Sequence, residues 1–189
     1  MKLFLLFILT TSYTSPIHAG LSAYERNKLV DELNFDRAAV GKKLGMRFGL
    51  VSYNTTLEKQ LDSLEVCGLQ LFPNTPWAHG PYIIPLEYDK VAKEFWEKDG
   101  QKHKQFLVKG LFNLDPQTIG CSKTYECSEK IGESRDTPKG MAGKTMEYRG
   151  ACVTDSKLWM YSDENNKIAY SGALPDPGKY GKLIGVKPF

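Results

Sequence analysis

The side chains able to do chemistry are few and poorly placed for it. Histidines stand at 18, 79 and 103. His79 sits in Ala78-His79-Gly80 within a proline-rich stretch, and His103 lies between Lys102 and Lys104, whose positive charges oppose a bound cation. Both read as surface loop residues. A catalytic triad or a histidine zinc site would have to be assembled from these two, because His18 falls in a leader segment. No Gly-x-Ser-x-Gly elbow occurs, and no cysteine stands in a papain-like or caspase-like context. Gly143-Lys144-Thr145 matches the end of a phosphate-binding loop, but Pro138 occupies the position of its leading glycine and no strand feeds it. Glu94, Glu97 and Asp99 cluster as residues of a solvated helix face do. This set does not assemble a nucleophile, a base and an orienting acid, and no cofactor is expected.

The cysteines carry more information. Four are present, at 67, 121, 127 and 152. Zinc would need two close pairs of soft ligands, and here only Cys121 and Cys127 are neighbours, with no histidine nearby. An even count in an exported chain points instead to two disulfides, with three pairings open. Export is expected from the first residues. Lys2, the apolar run Leu3 to Leu9, Pro16 and then Ile17-His18-Ala19 have the layout of a secretory signal peptide cut near Ala19, too short to span a bilayer. No later stretch is long or apolar enough to cross a membrane, and the tail Gly185-Val186-Lys187-Pro188-Phe189 is neither an ER-retention signal nor a lipid-anchor tail.

The expectation is therefore a signal peptide over 1–19 and one secreted, extracellular domain over 20–189. Hydrophobic residues at 41% and charged residues at 25% suffice for one domain with a core. The net charge of +3 falls to about +2 once Lys2 leaves with the leader. That is too small and too dispersed for nucleic acid, and Lys42-Lys43 reads as solvated helix surface. Asn54-Thr55-Thr56 is an acceptor sequon for N-glycosylation.

The elements that would position these residues follow from periodicity. Leu29, Leu33, Val40 and Leu44 recur at helical spacing before Gly45, which predicts a long helix from Ser22 to Leu44. An extended link, Met46 to Tyr53, leads to a second helix from Thr55 to about Val66, with Thr55 and Glu58 as a capping box and Leu57, Leu61 and Leu64 on its apolar face. Closely spaced Pro73, Pro76, Gly80, Pro81 and Pro85 predict a long surface loop from Leu69 to Pro85. Pro85 then opens a third helix with Tyr88, Val91, Ala92, Phe95 and Trp96 on its apolar face, Trp96 in the core and Gly100 at its end. A buried strand is expected over Phe106 to Phe112 and a loop over Ser122 to Thr145, pinned by Cys121 and Cys127. Further strands are expected over Met146 to Val153 and Leu158 to Tyr161, with a hairpin through Asp163-Glu164-Asn165-Asn166 into Lys167 to Ser171. Pro175 to Phe189 reads as ordered coil packed on the sheet.

The stretch Leu29 to Cys67 resembles the opening of the CAP superfamily, the cysteine-rich secretory, allergen and pathogenesis-related proteins that share the SCP domain. In that family a first helix carries a His-Asn-x-x-Arg type motif, a linker ends in a Trp-Asp or similar pair, and a second helix ends in cysteine. Here Leu33-Asn34-Phe35-Asp36-Arg37 keeps the Asn and Arg, Met46 and Leu50 to Tyr53 match the linker, and Leu57 to Cys67 matches the second helix. Val91-Ala92-Lys93-Glu94-Phe95-Trp96 is similar to the third helix. Leu111-Phe112-Asn113 through Ile119-Gly120-Cys121 is similar to the buried strand and the Gly-Cys that follows. Trp159-Met160-Tyr161-Ser162 is similar to the last cysteine-bearing strand, with Trp159 in place of the cysteine; alternatively Cys152, a strand earlier, takes the role of that cysteine.

The resemblance implies an α+β fold, an α-β-α sandwich with a small three-stranded antiparallel sheet between helices, stapled by disulfides. By analogy Cys67 pairs with Cys121 and Cys127 with Cys152, while Asn34 and Arg37 hold the first helix to its neighbours by buried hydrogen bonds. Many members line a central cleft with two histidines and two acidic residues that bind a divalent metal. The strand histidine would fall near Phe106 or Leu107, and the leading position of the first-helix motif is Leu33. Glu97 or Asp99 could supply one carboxylate, which leaves too few ligands for zinc. What is implied is a degenerate, non-enzymatic member that acts as a binding or effector module through loops such as Pro73 to Pro85 and Ser122 to Thr145. Its partner would be an unknown extracellular protein or lipid. A carrier of sterols or fatty acids is the alternative, as some family members are credited with binding them. An exported hydrolase, or a protease inhibitor using Cys121 to Cys127 as its reactive loop, is a weaker one.

Overall fold

Helix α1 spans Ala23–Leu44, and its own sequence closes both ends. The Glu25 amide donates to Ser22 Oγ at 3.2 Å and the Ser22 amide donates to Glu25 Oε2 at 2.7 Å, a reciprocal capping box. Gly45, at φ 68°, takes the left-handed conformation that ends the helix. Leu29, Leu33, Arg37 and Val40 form the buried face.

The computed structural model describes residues 20–63, 82–98, 110–115, 117–135, 137–155, 168 and 172–189. After α1 come β1 (Val51–Tyr53), α2 (Thr55–Asp62), β2 (Tyr82–Tyr88), α3 (Lys90–Lys98), a 3-10 turn (Gly110–Phe112), β3 (Gln117–Lys130), β4 (Thr145–Thr154) and α4 (Gly178–Ile184). The fold is mixed α+β. The sheet runs in the order β1-β3-β4-β2, with β1 parallel to β3 and the other neighbours antiparallel. It is therefore a mixed sheet rather than a purely antiparallel one.

Alternate residues along the strands feed different clusters, as the pleat requires. Ile84, Leu86, Ile119, Cys121 and Cys152 pack with Leu29 and Leu33 of α1 and Ile184 of α4. Ile83, Ala151 and Val153 pack instead with Leu61 of α2. A third cluster joins Trp96 and Ala92 of α3 to Tyr88, Tyr148, Met141 and Met146. Helix α2 lies so close under β3 that a Cβ on Gly120 would sit 2.2 Å from the Glu58 amide nitrogen. Only glycine fits there.

Several expectations are corrected. Tyr82–Tyr88 is a strand, not loop and helix start, and α3 begins at Lys90. Among the described residues β2 lies at the edge of the sheet, the position where a proline's missing amide donor is tolerated. Asp89 opens α3, its Oδ1 accepting from the Ala92 amide at 2.8 Å. Of the stretch expected as a loop over Ser122 to Thr145, residues 122–130 are instead the body of β3 and Thr145 starts β4, while the loop itself is confined to the connection between them. The polar residues of β3 alternate with Tyr125 and Cys127, the pattern of a strand half open to water. Gly110–Phe112 is a buried 3-10 turn rather than the end of a strand. Gly178–Ile184 is a helix within the expected terminal coil, closed by Gly185 at φ 78°. The signal peptide, Leu64, the loop residues 69–81 and the hairpin around 163–166 lie outside the described residues.

The disulfide pairing is corrected as well. Cys121 and Cys152 are directly opposite in the β3–β4 register, with Cα atoms 4.0 Å apart, and are joined to each other. The antiparallel ladder presents the two sulfurs to one another, so neither the 67–121 nor the 127–152 pairing holds. Cys127 is itself disulfide-bonded, and Cys67 lies outside the described residues.

Candidate functional site

Three polar residues of α1, Asn34, Asp36 and Arg37, are consumed by the scaffold. Arg37 falls in line with Leu29 and Leu33 on the buried face, so its guanidinium enters the core. Nε and Nη2 donate to Gly49 O at 3.1 and 2.8 Å, Nη1 to Leu111 O at 2.6 Å, and Nη2 also to Asn113 O at 2.6 Å and Asp115 O at 3.1 Å. Phe48 stacks 5.2 Å from its charge. Burial pulls the guanidinium down to about 10, which leaves it charged at neutral pH. Asn34, one turn earlier, accepts from the Val51 amide at 2.8 Å and donates to Val51 O at 3.0 Å, which fixes the start of β1.

Glu58 is the matching anion. It is buried, with Arg26 on both oxygens at 3.1 Å, the Tyr53 hydroxyl donating to Oε2 at 2.6 Å and the Leu21 amide to Oε1 at 3.0 Å. The expected Thr55–Glu58 capping box is thereby overturned. Asn54 caps α2 instead, its Oδ1 accepting from the amides of Thr56 and Leu57 at 2.9 and 3.4 Å. A partner 32 residues away outcompetes the local one because the charge-assisted bidentate pair is the stronger bond. Burial and the Glu58 contact push the Tyr53 phenol well above its ordinary range, so it stays a donor. Bond by bond, Glu58 has no lone pair left for a substrate.

A third cluster ties α1 to α4. Asp36 accepts from the Tyr180 hydroxyl at 2.7 Å and from Lys179 Nζ at 2.9 Å on both oxygens, and Lys179 also reaches Glu32 at 2.5 Å. Burial works against the Lys179 ammonium, but its bonds to Glu32 and Asp36 outweigh it and raise the group above its usual range.

None of Arg26, Tyr53, Glu58 and Asp36 stood out in the sequence as a core ion-pair residue. The signal available was position: Arg26 lies one turn before Leu29 and two before Leu33, and Asp36 lies beside Arg37.

The residues singled out for a cleft do not come together. Leu33 is 0% exposed and belongs to the core. Trp96 is buried against Phe95, ring centroids 5.1 Å apart at 89°. Glu97 is exposed, and Glu94 bridges Lys98 at 2.7 Å and Lys144 at 3.2 Å. His79, Asp99, His103, Phe106 and Leu107 lie outside the described residues. Among the described residues no three side chains able to hold a metal ion cluster together.

Among the described residues, two exposed surfaces are well defined. The connection between β3 and β4 is anchored by buried Ile131 and Met141 and closed by hydrogen bonds from Ile131 N to Lys144 O and from Gly143 N to Ile131 O, both 2.8 Å. Glu133 and Lys139 project from it into solvent. On the outer side of α1 a shallow groove of about 480 Å³ is lined by Tyr24, Asn27, Lys28, Asp31, Glu32 and Phe35. Comparison with known proteins adds no relative: no family model, no curated protein and no solved structure matches the chain.

Proposed function

We propose that the protein is an exported, non-enzymatic binding module on a CAP-like scaffold, its helices packed on both faces of the sheet in an α-β-α arrangement. The observation that carries this is the use made of its ionisable core. Arg37 and Glu58, the residues whose burial would suit catalysis, are each saturated by groups that hold α1, β1, α2 and the 3-10 turn together. The bonds of Asn34 and Arg37 support the CAP-like reading, since they link the first helix to the linker and to the segment before β3. Leu33, buried at the position of the family's cleft histidine, supports the loss of the metal site.

Recognition then falls to exposed, firmly anchored surface, of which the charged tip between Ile131 and Lys144 is the best built. Export is supported by the Cys121–Cys152 bond and by the fact that no described helix is long and apolar enough to cross a membrane. A glycan on Asn54 is compatible with its role as cap. Linkage at Nδ2 leaves Oδ1 to accept from the α2 amides and gives up only the 3.4 Å contact to Thr118. Digestion with an N-glycosidase should lower the mass of the secreted protein, and an unchanged mass would remove Asn54 from the account.

Calorimetric titration with zinc tests the central reading. No stoichiometric heat at micromolar metal is expected; tight binding at one site per chain would restore a metal cleft and contradict it. Native mass spectrometry of protein from its own source separates the carrier alternative, since a retained lipid would favour a carrier over a protein-binding module.

A further inference from the structure

The groove on α1 lies along a seam with a repeat of its own. Tyr24, Lys28, Asp31 and Phe35 are spaced four, three and four residues apart, the alternation that lines up one side of a helix against another helix. The two outer positions are aromatic and open to solvent, Tyr24 at 73% and Phe35 at 69% exposure. The two inner positions are exposed and oppositely charged. From Tyr24 to Phe35 the seam runs roughly 16 Å at the rise of an α-helix.

We propose that this seam is the interface of a two-fold symmetric, antiparallel α1–α1 homodimer. A two-fold axis crossing the helix midway between Lys28 and Asp31 lays Tyr24 on Phe35 of the second copy and sets Lys28 against Asp31 of the second copy. The same operation repeats both pairs, so the surface is complementary to itself in shape and in charge. A parallel arrangement would instead place Lys28 against Lys28 and Asp31 against Asp31. Asn27 and Glu32 flank the axis in the same way and close the rim. Glu32 is held in place by Lys179, so that side of the groove is set before a partner arrives.

The area sets the class of interface expected. The aromatic rings from both copies, with the charged stems between them, bury on the order of 1,000 Å², the lower end of specific interfaces. The dimer is therefore a reversible one that forms at high local concentration. Self-association thus resides on the outer side of α1, away from the β3–β4 tip.

Sedimentation velocity across a concentration series from about ten micromolar to one millimolar reads this out on the whole oxidised protein. The wild type should shift reversibly from monomer toward dimer, and Phe35→Ser should stay monomeric throughout. Lys28→Asp and Asp31→Lys should each weaken association about tenfold or more by placing like charges opposite one another. The double exchange Lys28→Asp with Asp31→Lys should recover affinity to within about threefold, because it restores both pairs with their signs reversed. A wild type that remains monomeric across the series overturns the proposal. So does a Phe35→Ser protein that still dimerises, or a double exchange no better than its parents. Capture of another molecule by the monomer through Tyr24 and Phe35 would likewise overturn it, assigning the seam to a different occupant. All four positions are exposed, and circular dichroism of each variant checks that the fold is kept.

Discussion

The two long faces of α1 use similar residue types to opposite ends. The inner face carries Leu29, Leu33, Arg37 and Val40, all buried, with each guanidinium nitrogen of Arg37 donating to a backbone carbonyl. The outer face carries Tyr24, Lys28, Asp31 and Phe35, and there two large aromatic rings stand in water. A buried charge that is fully hydrogen-bonded is a structural element; an exposed ring beside a charge is a place of encounter. The difference shows that a charged residue on a helix tells little by itself. Its face decides whether it holds the fold or meets a partner.

Removing the inner hub should have the largest effect. Arg37→Met takes the side-chain donor from the carbonyls of Gly49, Asn113 and Asp115 and leaves Leu111 O only Gln117 Nε2, and a loss of about 3–5 kcal/mol in urea unfolding is expected. A loss below about 1 kcal/mol would show that the inner face is not held by this residue. The strand staple should follow. Cys121→Ala with Cys152→Ala opens a link across 31 residues, for an expected loss of about 3–4 kcal/mol. Peptide mapping of the oxidised protein should return the Cys121–Cys152 peptide, and a Cys67–Cys121 peptide would contradict the β3–β4 register. A smaller effect is expected where the helix meets solvent at its start.

That position is Glu25, whose carboxylate is held down to about 2, chiefly by Lys123 at 2.7 Å and then by Ser22. A carboxylate with a lowered folded pKa contributes stability in full above its ordinary value of 4.5 and loses it as pH falls toward 2. Lys123→Met should therefore flatten the stability profile between those two values and cost about 0.5–1 kcal/mol at neutral pH, since the pair is partly screened by water. An unchanged acid limb would mean that the pair adds nothing to the folded state.

The regions of this fold legible in the sequence are those fixed by near neighbours. Helix α1 has its apolar spacing, its capping serine and its terminal glycine all within its own length. What was hidden depended on distant partners. Glu58 reads as a cap beside Thr55 until Arg26 and Tyr53 are brought to it. Pro85 reads as a helix start unless β2 is known to be an edge. Glu126, Ser128 and Lys130 read as loop until β4 supplies the ladder on which their alternation makes sense. The glycines of α4 read as coil; a Cβ on Gly181 would stand only 3.2 Å from the Leu86 side chain, so close packing on β2 explains a helix that propensity alone disfavours. The exposed seam was readable as a spacing, yet only exposure separates it from a second buried face.

Leu33 and Phe35 stand two residues apart on opposite sides of α1, one 0% and the other 69% exposed. Thermal unfolding of Leu33→Ala beside Phe35→Ala, at dilute concentration, is the most direct test of the division. Leu33→Ala should lose about 2–5 kcal/mol, several degrees or more in Tm, while Phe35→Ala should stay within about 0.5 kcal/mol of the parent. Equal losses at both positions would contradict the account, because the outer face would then belong to the core.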